Sequence, residues 1–219
     1  MTMKPAFVIG IVGAESSGKT QLARALQARL ASEGLPAAIV GEALREFCDR
    51  HRRTPREDEQ AGIAAEQTRR IDSAAERHPL VVADTTALMI AVYSELVFGD
   101  TTLYAMAEAA HRRCDLTLLT ALDLPWRADG LQRDGAHVRE PVDALLRAAL
   151  RRIGHPFVVV PGTGDARLQS AWRAARQALG LPCAEDEQDA ANANWHWLCE
   201  RCGDATCERH LLLPATARK

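Results

Sequence analysis

The sequence predicts an α/β fold in which a five-stranded parallel sheet carries helices on both faces. Short runs of aliphatic, often β-branched residues alternate with longer amphipathic segments from residue 6 to about residue 180. Such alternation is typical of parallel strands joined by crossover helices. The first aliphatic run leads directly into a glycine-containing turn and then into a helical pattern. This strand–turn–helix order predicts a three-layer sandwich with a ligand site at one edge of the sheet.

Each predicted element follows from its local pattern of apolar residues and its terminating residue. Aliphatic runs predict strands at residues 6–12, 37–40, 80–84, 115–122 and 157–160. Apolar residues at helical spacing predict helices at residues 22–33, 58–77, 87–97, 101–113, 142–153 and 165–179. Glycines at positions 34, 99 and 154 are placed to end three of these helices. The polar segment 50–59, which contains Pro55, is predicted to be a loop, and Trp172 is predicted to lie in the core.

The turn after the first strand fits the pattern of Gly, four residues, Gly, Lys and then Ser or Thr. Its residues are Gly13, Ala14, Glu15, Ser16, Ser17, Gly18, Lys19 and Thr20. In such a turn, backbone N–H groups and the helix N-terminus converge on an anion. Lys19 would then contact the β- and γ-phosphates of ATP, and Thr20 would bind Mg²⁺. The motif predicts a P-loop NTPase fold; the alternative is a glycine turn that binds no ligand.

Charged residues also follow the second and third predicted strands. In open α/β sheets, ligands bind at the carboxyl ends of the strands, so Glu42 and Arg45 are candidates to hold an acceptor substrate. The alternative is that they belong to a solvated helix start. Asp84 closes the third strand and is the candidate to orient Mg²⁺ or to accept the hydroxyl proton of the acceptor. The alternative for Asp84 is a helix N-cap.

The polar segment 123–135 after the fourth strand is predicted to be a lid. With Arg139 included, it supplies three arginines, the others being Arg127 and Arg133. Phosphoryl transfer spreads negative charge over the transferred group, and cations on a closing segment would stabilise that charge. The alternative is a surface loop in which the arginines pair with Asp129 and Asp134.

The composition changes after residue 181. Residues 182–194 are acidic and lack an apolar period, which predicts a linker between a domain at residues 1–181 and a tail at residues 195–219. The tail resembles a zinc knuckle, with Cys-x2-Cys and Cys-x2-His pairs formed by Cys199, Cys202, Cys207 and His210. Three thiolates and one imidazole suit a closed, structural Zn²⁺ site; the alternative is a tail without metal.

Composition and charge exclude several classes of function. The 219 residues are 47% hydrophobic and 26% charged with a net charge of −2, which argues against a generic nucleic-acid or membrane-surface binder. We find no apolar run of the ~18 residues that a membrane span requires. We therefore expect a cytoplasmic protein that binds a small molecule. The sequence leaves open whether the protein forms a homo-oligomer.

Several segments together resemble the NadR-type nicotinamide riboside kinase family over residues 6–180. The matching residues are 15–20, Glu42, Arg45, Glu46, Phe47, 84–85, 93–95, 98–99, Pro125, Trp126, 129–131, Gly162 and Arg167. The resemblance implies an ATP-dependent P-loop kinase with the strand order of nucleotide kinases. It also implies that Trp126 and Asp129 contact the acceptor, and that Arg127 and Gly162 contact ATP. The chain departs from the family at two points. Gln132 stands where the family has arginine, and the chain has few aromatic residues that could stack on a nicotinamide ring.

The sequence therefore supports two functional hypotheses. The first is a kinase that transfers the γ-phosphoryl group of ATP to a ribonucleoside hydroxyl, with nicotinamide riboside as one acceptor. Its catalytic residues would be Lys19, Asp84, Arg133 and Arg139. The second is an ATP-binding regulatory protein whose zinc tail docks a partner. ATP binding without phosphorylation of an acceptor would distinguish the second from the first.

Overall fold

Five parallel strands form the centre of the protein in a computed structural model that describes residues 6–126 and 135–181. They are β1 (Phe7–Val12), β2 (Ala38–Val40), β3 (Leu80–Asp84), β4 (Leu116–Thr120) and β5 (Val158–Val160), in the order β2-β3-β1-β4-β5. The helices are α1 (Lys19–Ser32), α2 (Ala43–His51), α3 (Glu57–Ala75), α4 (Ala87–Phe98), α5 (Tyr104–His111), α6 (Arg139–Arg152) and α7 (Gly164–Ala178), with a 3₁₀ turn at Ala136–Val138. The predicted five-stranded parallel sheet is confirmed.

The register of the central strands places their carboxyl ends side by side. Ile11 of β1 lies beside Asp84 of β3 and beside Leu118 of β4. Every residue of β3 and β4 is buried, because helices cover both faces of the sheet. The loops that follow β1 and β3 therefore emerge next to each other at one edge.

Helices α1 and α7 cover one face of the sheet, and α4 and α6 cover the other. On the first face, Leu26 and Trp172 pack with Ile9 in one buried cluster, which confirms the prediction that Trp172 is a core residue. On the second face, Leu88 and Leu146 belong to a separate buried cluster. This division confirms the predicted three-layer arrangement.

The loop predicted at residues 50–59 is shorter in the structure and spans residues 52–56, which include Pro55. Helix α2 continues to His51 and α3 begins at Glu57, so only residues 52–56 connect them. The first turn of α3 is acidic, and the Glu59 carboxylate accepts a hydrogen bond of 2.8 Å from the backbone N–H of Arg56. An acidic first turn and a carboxylate that caps the N-terminus favour helix formation. The polarity of residues 57–59 is thus a property of a helix start.

None of the helices in residues 6–126 and 135–181 combines the length and the apolar character required to cross a bilayer.

Candidate active site

The turn between β1 and α1 has the conformation that its glycines predict. Gly13 has a φ of 149°, and a Cβ atom there would lie 2.0 Å from the Oγ1 of Thr120. Gly18, which directly precedes α1, has a left-handed φ of 78°. A larger residue at position 13 would collide with β4, and L-residues rarely adopt the backbone angles at position 18. Both glycines are therefore required by the geometry of the turn.

Side chains inside the turn hold it against the sheet. The Ser17 hydroxyl lies 2.6 Å from the Ala14 carbonyl oxygen and 2.6 Å from the Oγ1 of Thr120. The Nζ of Lys19 donates a 2.9 Å hydrogen bond to the same Ala14 carbonyl. Lys19 and Thr20 begin α1, whose first turn contains no acidic residue. The turn thus places a lysine and a helix N-terminus together, which suits a bound phosphate.

Asp84 is held at the end of β3 and is not a helix cap. Its side chain is buried, with 4% of the residue exposed, and its Oδ1 has no hydrogen-bond partner among the described residues. The cap of α4 is instead Thr86, whose hydroxyl oxygen accepts a 3.3 Å hydrogen bond from the Leu88 N–H. The N-cap alternative for Asp84 is therefore wrong. A buried carboxylate oxygen without a donor fits a cation ligand, which would offset its desolvation.

The backbone next to Asp84 is strained, and a buried glutamine on α3 supports it. Thr85 has a φ of 75°, which is uncommon for a β-branched residue and marks local strain. Gln67 donates from its Nε2 to the carbonyl oxygens of Thr85 at 3.2 Å and of Gly41 at 3.3 Å. Its Oε1 accepts a 2.7 Å hydrogen bond from the Ala43 N–H. Gln67 thus fixes the ends of β2 and β3 relative to each other.

Sequence analysis did not identify Gln67 as a positioning residue. The signal was present, because Gln67 lies between Ile63 and Ile71 at a spacing of four residues and therefore on the same apolar face of α3. An amide on such a face needs hydrogen-bond partners.

A cavity of ≈ 400 Å³ opens beside the phosphate-binding turn. It is lined by Glu15, Lys19, Glu42, Leu44, Arg45, Cys48, Thr54, Pro55, Arg56, Glu57, Gln60, Met89, Tyr93, Val97 and Phe98. The structure thus brings the predicted acceptor residues Glu42 and Arg45 together with Lys19. Most of the other lining residues come from α2, α3 and α4, and sequence analysis did not assign Gln60, Met89 or Val97 to a site.

Glu42 faces the site rather than solvent. It is the residue before α2, but its side chain makes no capping hydrogen bond, and only 13% of that side chain is exposed. Burial raises the pKa of the Glu42 carboxyl, the nearby Lys19 ammonium opposes this rise, and Asp84 adds to it. The Nε of Arg45 lies 3.5 Å from the Glu42 carboxylate. These contacts do not fit the alternative of a solvated helix start.

Arg167 of α7 connects the phosphate-binding turn to the ends of β4 and β5. This buried guanidinium donates to the backbone oxygens of Gly162 at 2.7 Å, of Ala121 at 3.3 Å and of Ser17. It also pairs with the carboxylate of Asp123, which in turn accepts a hydrogen bond from the Gly162 N–H. Gly162, predicted to contact ATP, is therefore joined to the phosphate-binding turn through one side chain.

Two residues assigned to the predicted lid region lie within the described residues. Arg139 is the first residue of α6, is 8% exposed, and donates a 2.8 Å hydrogen bond to the Leu124 carbonyl. It therefore lies on a helix, directly after the segment predicted to be a lid. Its Nε and one terminal nitrogen are buried without a hydrogen-bond partner among the described residues. Trp126 is partly buried and does not line the ≈ 400 Å³ cavity.

The remaining predicted site residues lie outside the described residues. These are Arg127, Asp129, Arg133, Cys199, Cys202, Cys207 and His210. Within residues 6–126 and 135–181, no group of three or more His, Cys, Asp or Glu side chains is arranged to hold a metal ion. The zinc site of the tail thus stays a prediction.

Solved structures with a similar fold include NadR and a nucleotide kinase. NadR "in complex with NR" is 21% identical with a TM-score of 0.67, and the alignment covers 81% of this chain and 52% of that chain. NadR "in complex with NAD and AMP-PNP" is 21% identical with a TM-score of 0.64, covering 81% and 51%. Thymidylate kinase from Ehrlichia chaffeensis is 13% identical with a TM-score of 0.54, covering 78% and 99%. This chain thus spans about half the length of the NadR chains.

No curated protein matches the sequence. A family profile described as an AAA domain, AAA_28, matches residues 8–167. The matched region begins in β1, contains the phosphate-binding turn and Asp84, and ends at Arg167. Because this region is more than half of the sequence, the chain belongs to the AAA_28 family of AAA domains.

Proposed function

We propose that this protein is an ATP-dependent kinase that phosphorylates a hydroxyl of a ribonucleoside, with nicotinamide riboside as the first acceptor to test. The observation that carries the proposal is the position of Lys19. This residue belongs to the phosphate-binding turn and also lines the ≈ 400 Å³ cavity. A γ-phosphoryl group held by Lys19 would face a molecule in that cavity, as in-line transfer requires.

The fold relatives support this proposal. The NadR structures are described as complexes with NR and with NAD and AMP-PNP, and the third similar structure is a thymidylate kinase. All three share the fold of this chain, and the cavity volume lies within the range of small-molecule sites. The kinase assignment therefore combines a shared fold with a site of suitable size.

Each site residue has a specific role in the proposed reaction. Lys19 and the N–H groups of residues 13–20 would bind the phosphates, while Thr20 and the buried carboxylate of Asp84 would hold Mg²⁺. When bound, Mg²⁺ would offset the negative charge of the phosphates. Glu42 and Arg45 would position the acceptor, since both line the cavity.

In the transfer step, the acceptor oxygen forms a bond to the γ-phosphorus, and the bond from that phosphorus to the β–γ bridging oxygen breaks. We propose two alternative roles for Asp84: its carboxylate holds Mg²⁺ and the proton of the acceptor hydroxyl passes to solvent, or the carboxylate itself accepts that proton. Arg139 lies buried beside the Leu124 carbonyl, and we propose that it stabilises the transferred group together with Arg127 and Arg133. Asp129 is proposed to contact the acceptor and Gly162 to contact ATP, whereas Trp126, which does not line the cavity, is not assigned this role.

We also propose the domain organisation predicted from the sequence. Residues 1–181 would form the kinase domain, residues 182–194 a linker, and residues 195–219 a tail that binds one structural Zn²⁺. The metal would provide stability that so short a segment cannot obtain from a core of its own.

The proposal is tested by incubating the full chain with ATP, Mg²⁺ and a panel of ribonucleosides that includes nicotinamide riboside. We expect ADP and a phosphorylated nucleoside in equal amounts, detected by mass spectrometry. Lys19→Ala should give no product, whereas Arg24→Ala, on the exposed side of α1, should behave as the wild type. ATP binding without phosphorylation of any acceptor would favour the alternative of an ATP-binding regulatory protein.

A further inference from the structure

One wall of the ≈ 400 Å³ cavity contains a buried amide. Gln60 of α3 lines the cavity and is 5% exposed, and its Oε1 is buried without a hydrogen-bond partner among the described residues. Gln67, two turns further along the same helix, provides a comparison because its amide bonds to three backbone groups. Gln67 therefore holds the fold together, whereas no such role is found for Gln60.

A buried carbonyl oxygen without a hydrogen-bond donor, such as the Oε1 of Gln60, destabilises the fold that contains it. A ligand in the cavity would supply the missing donor. The position of Gln60 is also well fixed, because the neighbouring Glu59 pairs with Arg53 through two hydrogen bonds of 2.6 and 2.7 Å. The Gln60 amide is thus attached to the anchored first turn of α3.

The surroundings of Gln60 indicate the kind of ligand that would meet it. Met89, Val97 and Phe98 of α4 and Leu44 of α2 give the cavity apolar walls. Glu15, Glu42 and Lys19 line the cavity near the phosphate-binding turn, and Arg56 and Glu57 line it at the start of α3. A planar heterocycle would cover the apolar walls with its faces and present its polar edge to a single amide.

We propose that Gln60 is a specificity-determining residue that hydrogen-bonds the edge of the acceptor's heterocyclic base. The buried Oε1 of Gln60 accepts hydrogen bonds, so its complement is a donor on the edge of the base. This inference rests on the proposed kinase function, because it concerns the acceptor of that reaction. Gln60 selects the base, while Glu42 and Arg45 position the rest of the acceptor.

Gln60→Met tests the inference, since methionine has a similar length and no hydrogen-bonding amide. Gln177→Met, on the exposed side of α7, is the matched control. For the best ribonucleoside acceptor, we expect Gln60→Met to lower kcat/KM about tenfold, mainly through KM, because one neutral hydrogen bond is lost. The KM for ATP should not change. The melting temperature without ligand should be unchanged or higher, because a buried oxygen without a hydrogen-bond donor has been removed.

A second acceptor, whose base lacks the polar edge, separates recognition of the base from general damage. Wild type and Gln60→Met should use this analogue equally well. An equal loss with both acceptors, an unchanged KM, or a lower melting temperature would overturn the inference.

Direct binding of the same ribonucleosides, measured by calorimetry, separates the inference from the kinase proposal. If the wild type binds a ribonucleoside without phosphorylating it, and Gln60→Met binds it more weakly, the kinase proposal fails and the role of Gln60 stands. If the wild type phosphorylates an acceptor and Gln60→Met does so with the same kcat/KM, the role of Gln60 fails and the kinase proposal stands. If the wild type binds no ribonucleoside, both are refuted.

Discussion

Replacing Arg167 by methionine tests whether one buried side chain holds the phosphate-binding turn against the sheet. The Arg167 guanidinium bonds to backbone oxygens of the turn and of the segments after β4 and β5, and it pairs with Asp123. Only 5% of the arginine side chain is exposed, whereas 35% of the aspartate side chain is. Methionine fills much of the same space but leaves these oxygens without their donor.

The expected loss of stability follows from these contacts. Hydrogen bonds that involve a charged group contribute about 1.5–3 kcal/mol each, and breaking a buried ion pair costs about 3–5 kcal/mol. Asp123 and the Gly162 carbonyl can regain water, because neither residue is fully buried. We therefore expect Arg167→Met to lower the free energy of unfolding by about 4 kcal/mol. For a chain of this size, that corresponds to a decrease in melting temperature of about 8–16 °C.

The assay combines thermal unfolding with ATP kinetics. Arg167→Lys keeps the charge but has a single nitrogen, so we expect about half the loss of stability. Both variants should raise the KM for ATP, because the Ser17 carbonyl that Arg167 holds belongs to the phosphate-binding turn. Arg24→Met, on the exposed side of α1, is the control. A melting temperature of Arg167→Met within 2 °C or so of the wild type would refute the reasoning, because losses of 1 kcal/mol already shift it by about 2–4 °C.

Four further predictions concern single residues. Lys19→Ala should abolish phosphoryl transfer while the protein stays folded, which circular dichroism and product analysis would check; near-normal turnover would contradict the site assignment. Asp84→Asn should lower kcat at least about a hundredfold without lowering the melting temperature, because its Oδ1 has no partner to lose; a loss of stability alone would assign it a structural role. Burial lowers the pKa of His111 from 6.5 to about 3, so the unfolded chain takes up the proton first and stability falls as the pH drops below about 6.5. Between pH 7 and 5 this should lower the free energy of unfolding by about 2 kcal/mol. Urea titrations at the two pH values should find a smaller loss in His111→Gln than in the wild type. An equal loss in both proteins would show that other groups cause it. Full-length protein purified without added zinc should contain about one Zn²⁺ per chain and Cys199→Ser should contain less; a ratio near zero in both would refute the zinc tail.

Local sequence patterns determined most of the secondary structure. The apolar runs before Gly13 and Asp84 predicted β1 and β3 almost to the residue, because a strand buried on both faces requires consecutive aliphatic side chains. The phosphate-binding turn was also predictable, since its glycines are required by backbone angles within the turn itself. The loop around Pro55 was predicted correctly but made too long, because the acidic residues that start α3 resemble a loop in composition.

The tertiary structure alone decided which of these elements form the site. Gln60 and Gln67 are both glutamines on α3, yet Gln60 lines a cavity and Gln67 joins the ends of two strands. Arg167 reaches Ser17 across 150 positions of the chain. Hydrogen bonds within a turn or helix leave a local pattern in the sequence, whereas contacts between distant segments depend on strand order and register. The sequence by itself therefore determined the strands and the phosphate-binding turn, and the packing of helices on the sheet decided the cavity and the partners of its buried polar groups.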